Sequence, residues 1–126
     1  MVTDFITAGA LASLLRAAHD PVLQRAGEIA DRLGARQQLR LSRQPAARTA
    51  ESLRLKYTLA RDRGVPVDGL DQLVARLSAL GETPIRACVA EVDDEFALVV
   101  LTDDGGEVES AICVVTSDPE ISGMHY

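Results

Sequence analysis

"EFALVVLTDDGGEVESAICVV" runs from Glu95 to Val115, and its reading decides the fold. Two apolar runs flank an acidic centre that holds two glycines. Asp-Gly and Gly-Gly tolerate positive φ, which a tight hairpin demands, so Asp103–Gly106 reads as the bend between two antiparallel strands. A cation loop is the rival reading. It needs about six to eight converging oxygens, and this stretch lacks the alternating D-x-D-x-D-G spacing, so no metal site is expected.

The flanking runs are apolar at nearly every position. A strand with one wet face alternates, whereas a strand covered on both faces does not. Adding Ile85–Val92 gives three strands, Ile85–Val92, Glu95–Thr102 and Glu107–Val115, in an antiparallel meander. Suppose Thr102 opposes Glu107 and Val92 opposes Glu95. One face then carries Val89, Phe96, Leu98, Val100, Ala111 and Cys113. The other carries Cys88, Ala90, Ala97, Val99, Leu101, Val108 and Ile112. Leaving either set in water forgoes about 1.5–3 kcal/mol for each larger side chain. Either the helices divide around the sheet or a second chain packs on it. The preferred expectation is a homodimer through the sheet, with Val99, Leu101, Val108 and Ile112 at the interface. In this register Cys88 and Cys113 point to opposite faces of non-adjacent strands, and no disulfide is expected.

Upstream, apolar residues recur at helical spacing. Leu11, Leu14, Leu15 and Ala18 mark a first helix over about Thr7–Ala18. Asp20-Pro21 is a helix start, with a capping carboxylate followed by proline at the first helical position. The second helix then carries Val22, Leu23, Ala26, Ile29, Ala30 and Leu33, and stops at Gly34. Residues Ala35–Gln44 fit either a short helix or an extended piece around Leu39 and Leu41. Pro45 opens a third helix that ends at Gly64, with a stripe of Ala46, Ala50, Leu53, Tyr57 and Ala60 that Leu55 and Leu59 widen. Val65-Pro66-Val67 reads as extended. Asp68 caps a fourth helix along Leu70, Leu73, Val74, Leu77 and Leu80, and Gly81 ends it. The expected fold is therefore α+β: about four N-terminal helices (1–81), then a three-stranded antiparallel meander (82–116) and a loose tail (117–126), in one domain over 1–126.

Composition narrows the function classes. In 126 residues the chain has a 47% hydrophobic fraction, only 3% aromatics and no Trp, so the core is built from Leu, Val, Ile and Ala. Few aromatics count against base-stacking platforms. Twelve Arg against one Lys and no Asn suggest a GC-rich, bacterial coding bias. The first twenty residues make a poor signal peptide, no apolar window is long enough for a membrane span, and two cysteines without CxxC spacing fit free thiols in a reducing cytoplasm.

Charge is unevenly distributed. Residues 1–81 hold 12 Arg/Lys against 8 Asp/Glu, a net of +4, whereas residues 82–126 hold 1 against 11, a net of −10. Nine cations lie between Arg32 and Arg63, against Glu51 and Asp62. A basic surface can meet phosphates. Alternatively, basic helices and an acidic sheet complement each other, within one molecule or across a dimer.

"EIADRLGARQQLRLSRQ" (Glu28–Gln44) resembles the helix-turn-helix signature of bacterial transcription regulators, on Ile29, Ala30, Leu33 and Gly34. The resemblance implies a recognition helix over about Arg36–Gln44, with Arg36, Arg40 and Arg43 as nucleic-acid contacts. Two internal positions that should be aliphatic fall on Arg40 and Arg43, and Pro45 truncates the second helix.

Catalytic signals are absent. His19 ends a helix beside Asp20, and His125 lies next to the C-terminus. Neither accompanies a nucleophile motif, and no phosphate-binding glycine loop occurs. Mid-strand thiols keep a high pKa and stay inert. The expectation is a small non-enzymatic cytoplasmic protein-interaction module, of the immunity-protein, chaperone or adaptor kind. It would use no cofactor or membrane, and would be homodimeric with a basic protein partner. The alternative is a DNA-binding regulator using Arg32–Arg63.

Overall fold

The computed structural model describes residues 5–115; the expected loose tail over 117–126 lies outside them. Four helices and two antiparallel sheets are present, but the order is interleaved. β1 (Phe5–Thr7) leads into α1 (Ala8–Arg16) and α2 (Pro21–Asp31). Two short strands follow, β2 (Gln38–Arg40) and β3 (Ser42–Pro45), then α3 (Ala46–Asp62), β4 (Val67–Asp68) and α4 (Leu70–Leu80). The meander closes the chain as β5 (Pro84–Val92), β6 (Glu95–Thr102) and β7 (Val108–Val115). The expectation of four helices followed by three strands is thus corrected: the main sheet has five strands in the order β3-β5-β6-β7-β4, and β1 pairs with β2 separately.

The helices divide around this sheet. On one face, Leu11, Leu15, Ile29 and the small residues Ala8, Ala12, Ala26 and Ala30 pack on Cys88, Ala90, Ala97, Val99, Leu101, Ala111 and Cys113. On the other, Leu53, Tyr57, Leu73 and Leu77 pack on Ile85, Ala87, Phe96, Leu98, Val100, Ile112 and Val114. Tyr57 of α3 meets Phe96 of β6 in a tilted pair with ring centroids 6.1 Å apart, a favourable aromatic geometry. Every residue from Phe96 to Leu101 is buried, alternately in one core and the other. The all-apolar strands are explained by cover from the chain's own helices. The four residues expected at a sheet-mediated dimer interface lie accordingly. Val99 and Leu101 are fully buried under α1 and α2, Ile112 under α3 and α4, and Val108 is half-buried against the first core. The exposed face on which that homodimer rested is absent among the described residues.

Chain geometry makes the division possible. β3 joins the sheet beside β5, and β4 joins it beside β7, at the opposite edge. At 1.5 Å per residue, the 17 residues of α3 span about 25 Å. Five strands about 4.8 Å apart are about 19 Å wide, so α3 can cross the whole sheet from one edge strand to the other. α4 then returns toward β5. Both edge strands are very short and border prolines, Pro45 and Pro66, which suits positions whose outer N–H needs no partner.

The β6–β7 register departs from expectation by one residue, for a local reason. Leu101 faces Val108, as a hairpin with Thr102 opposite Glu107 requires, and the Thr102 amide donates to the Glu107 carbonyl at 2.9 Å. The next pair is Val100 with Ser110, so Glu109 is an extra residue, a β-bulge. Beyond it Leu98 faces Ile112 and Phe96 faces Val114. One inserted residue exchanges the faces of everything after it. Ala111 and Cys113 therefore join Cys88 in the first core, and Ile112 moves to the second. Both cysteines are free. They share a face, contrary to expectation, on strands separated by β6. The β5–β6 register follows the expected one, with Val92 opposite Glu95 and Asp93 at a left-handed φ of 56° in the turn.

Local signals account for the helix ends. Thr7 caps α1, its hydroxyl accepting from the Ala10 amide. Asp20 caps α2, its carboxylate accepting from Val22 N at 2.8 Å and Leu23 N at 3.2 Å, with Pro21 next in line. α4 is capped not by Asp68 but by Gly69, at φ 87°. No helix among the described residues is long and apolar enough to cross a membrane.

Candidate protein-docking surface

The uneven charge resolves inside the molecule. Arg25 and Arg32 of the α2 region reach the first acidic turn: Arg25 Nη2 lies 3.4 Å from Glu95 Oε2, and Arg32 bridges Glu95 Oε1 and Asp93 Oδ2, each at 3.3 Å. At the other tip Arg43 of β3 donates twice to Asp103, from Nε at 2.8 Å and from Nη2 at 3.4 Å. The buried Arg86 donates from Nε to the Asp103 carbonyl at 2.7 Å. Arg76 of α4 holds Glu109, the bulged residue, at 2.8 Å. Basic helices and acidic sheet therefore complement each other within one chain. These pairs are mostly exposed, so each contributes little stability and chiefly fixes where the turns lie.

The acidic tip is a turn in its chemistry as well as its shape. Asp104 Oδ1 accepts from the Thr102 hydroxyl at 2.6 Å and from the Gly106 amide at 2.9 Å. Those bonds draw the Asp104 carboxyl below the usual carboxylate range, and the Arg43 hydrogen bond does the same for Asp103. Among the described residues no group of three or more His, Cys, Asp or Glu side chains is arranged to hold a metal ion.

The helix-turn-helix resemblance stops after its first helix, which ends at Asp31, and the turn at Gly34, φ 92°. Where a recognition helix would run, Gln38–Arg40 and Ser42–Pro45 are strands. β2 is pinned to β1, and β3 to β5. Arg36 is exposed in the loop before β2, Arg40 is exposed on β2, and Arg43 is engaged by Asp103. They therefore do not project together from one helix face. Arg40 and Arg43 occupy positions that a buried recognition helix would give to aliphatics, and that mismatch is the sequence signal of the strands.

Groups that could carry chemistry are locked away or isolated. Burial pushes the Cys88 and Cys113 thiols up to about 12, with less than 2% of either residue exposed. Burial likewise raises the Tyr57 phenol. His19 is exposed in the link between α1 and α2, and His125 lies outside the described residues. A cavity of about 600 Å³ opens between the N-termini of α2 and α4 beside β4. Among the described residues it is lined by Val22, Arg25, Glu28, Arg61, Asp68 and Asp71 among others, with no His, Cys, Ser or Lys. Both of its arginines are paired, Arg25 with Glu95 outside the lining and Arg61 with Asp71 within it.

What faces solvent with unsatisfied character is α3. Its core stripe of Ala46, Ala50, Leu53, Tyr57 and Ala60 is buried. Leu55 lies two residues, or 200° of helix, from Leu53 and so points outward. Leu55 is 67% exposed and Leu59, one turn on, 45% exposed; with Phe5 they are the large apolar side chains most exposed among the described residues. The expectation that they widen the core stripe is corrected, because the sheet is already covered without them. Beside them α3 and α4 leave a groove. One end is formed by Ala47, Ala50, Glu51, Arg54, Val74 and Ser78, at about 130 Å³. The other is formed by Arg54, Thr58, Arg61, Leu70, Val74 and Ala75 with Asp71, at about 300 Å³. A shelf of about 460 Å³ continues over Leu55, Thr58, Leu59 and Asp62. Arg54 belongs to all three. The α3–α4 helices were legible in the sequence, but the groove between them was not, because it depends on how the two pack.

Comparison of the chain with protein-family models, with curated proteins and with solved structures found no match.

Proposed function

We propose that this protein is a small non-enzymatic protein-interaction module that docks a partner on the outer surface of α3 and α4. The observation that carries this reading is the pair Leu55 and Leu59, standing in solvent beside an interhelical groove while both cores are closed. Solvent-facing leucines one turn apart, next to a concave surface, are the anchors by which a helical face is recognised. The surrounding chemistry supports binding over catalysis. The thiols are buried, Asp93, Glu95, Asp103 and Asp104 of the two hairpin tips are held by arginines or hydrogen-bonded into a turn, and the cavity beside β4 offers no nucleophile with a base beside it among the described residues. Two free buried cysteines suit the reducing cytoplasm.

A photo-crosslinking amino acid at position 55, in the cells that encode the protein, tests the reading. The expected result is one discrete adduct, lost when Leu59→Asp is added and absent when the crosslinker replaces exposed Ala17 on the opposite layer. Equal labelling from positions 55 and 17, or none from 55, would refute it.

A further inference from the structure

We infer that the partner element seated on α3 and α4 is an acidic amphipathic α-helix; this rests on the docking surface proposed above. Shape selects a helix. Both walls of the groove are helices, so neither offers the unpaired strand edge that β-augmentation needs. Among the described residues the groove has no aromatic lining of the kind that receives polyproline segments. Its floor is small and apolar at Ala47, Ala50, Val74 and Ala75, and its lip carries two leucines one turn apart. The walls run along α3 from Ala47 to Arg61, about 21 Å, which is about four helical turns. A helix with apolar residues at i, i+3 or i+4, and i+7 fits that floor and lip.

Charge selects the sign. α3 carries four cations, Arg48, Arg54, Lys56 and Arg61, against Glu51 and Asp62. Arg61 is engaged by Asp71, but Arg48, Arg54 and Lys56 make no ion pair among the described residues, and Arg54 is the one of these three that lines the depressions. Arg54 stands where the three depressions meet, so a carboxylate on the incoming helix would meet it at the centre of the interface. A second copy of this chain does not suit the site. Two α3 faces would bring like charges together at Arg48, Arg54 and Lys56.

Selection from a randomised helical peptide library displayed on phage, against the whole chain at near-physiological salt, tests this. The enriched peptides should carry net negative charge and apolar residues at helical spacing. A synthetic copy of one, followed by fluorescence anisotropy, should lose about tenfold or more in affinity for Leu55→Asp and for Arg54→Glu. A peptide with its central carboxylate changed to Lys should recover affinity on Arg54→Glu. Circular dichroism keeps misfolded variants out of the comparison. Enrichment of neutral, basic or extended peptides, undiminished binding to Leu55→Asp, or no enrichment at all would overturn the inference. If any of these occurs while the position-55 crosslinker still traps a discrete partner, the docking surface stands and only the acidic-helix inference falls.

Discussion

Of the described glycines, Gly69 leaves least room for an added side chain, and Gly69→Ala measures it. The residue caps α4 at φ 87°, directly after the two-residue strand β4. A Cβ there would lie 2.6 Å from the Ala111 carbonyl oxygen and 2.9 Å from Val22 Cγ1. The left-handed backbone costs an L-residue about 1–2 kcal/mol, partly offset by about 0.4–1 kcal/mol from a less flexible unfolded chain. Overpacking adds about 1–3 kcal/mol, because the Ala111 oxygen belongs to the β7 backbone and cannot turn aside. The expected total is about 2–4 kcal/mol. Gly64→Ala isolates the packing part, since Gly64 has φ 82° and nothing within 4 Å of the added carbon. That control should cost only about 1 kcal/mol. Urea unfolding of the three proteins, with m-values held equal, reads the difference from the midpoints. Val22→Ala in the Gly69→Ala background should return only part of the loss, because it clears the side-chain contact and leaves the backbone one. If Gly69→Ala and Gly64→Ala fall within about 0.5 kcal/mol of each other, the close approach of the α4 cap to β7 is not real.

Two further outcomes are expected. Asp103 has a depressed carboxyl pKa because Arg43 donates to it, so its stabilising effect is fully present above the unfolded value of about 3.9 and is lost as pH falls through the folded one. The urea midpoint should decline between about pH 4 and pH 2, with Asp103→Asn declining less; an identical profile for the variant would contradict the assignment. Cys88 and Cys113 should resist a thiol reagent at pH 8 in the folded protein and react together once it is unfolded in urea, whereas rapid labelling of native protein would disprove their burial.

The hairpin sequence carried the most legible information. Continuous apolar runs require cover on both faces, and the structure supplies it. What the sequence hid was how. The periodicity of α3 and α4 is the same whether they stack beside α1 and α2 or cross to the far face. Only the short strands decide between these. β3 and β4 have four and two residues and border prolines, too short for a repeating pattern to declare itself. The bulge was equally silent, since Glu109 is one polar residue near a hairpin end, and nothing in its identity announces an unpaired position. The proposed docking surface was half-visible. Leu55 and Leu59 were conspicuous, but their spacing fits a wide core stripe as readily as an outward one. The charge asymmetry, by contrast, was read directly, and Arg25, Arg32, Arg43 and Arg76 pair part of it within the chain.

β6 is a party wall. Each side chain from Phe96 to Leu101 belongs to one chamber or the other, and none looks outdoors. A change that enlarges Ala97 crowds the alanine-rich chamber, and one that trims Leu98 hollows its neighbour. The backbone between them is common to both, so a shift made for one tenant is felt by the next. Substitutions on the outer skins of the helices, by contrast, leave the masonry behind undisturbed.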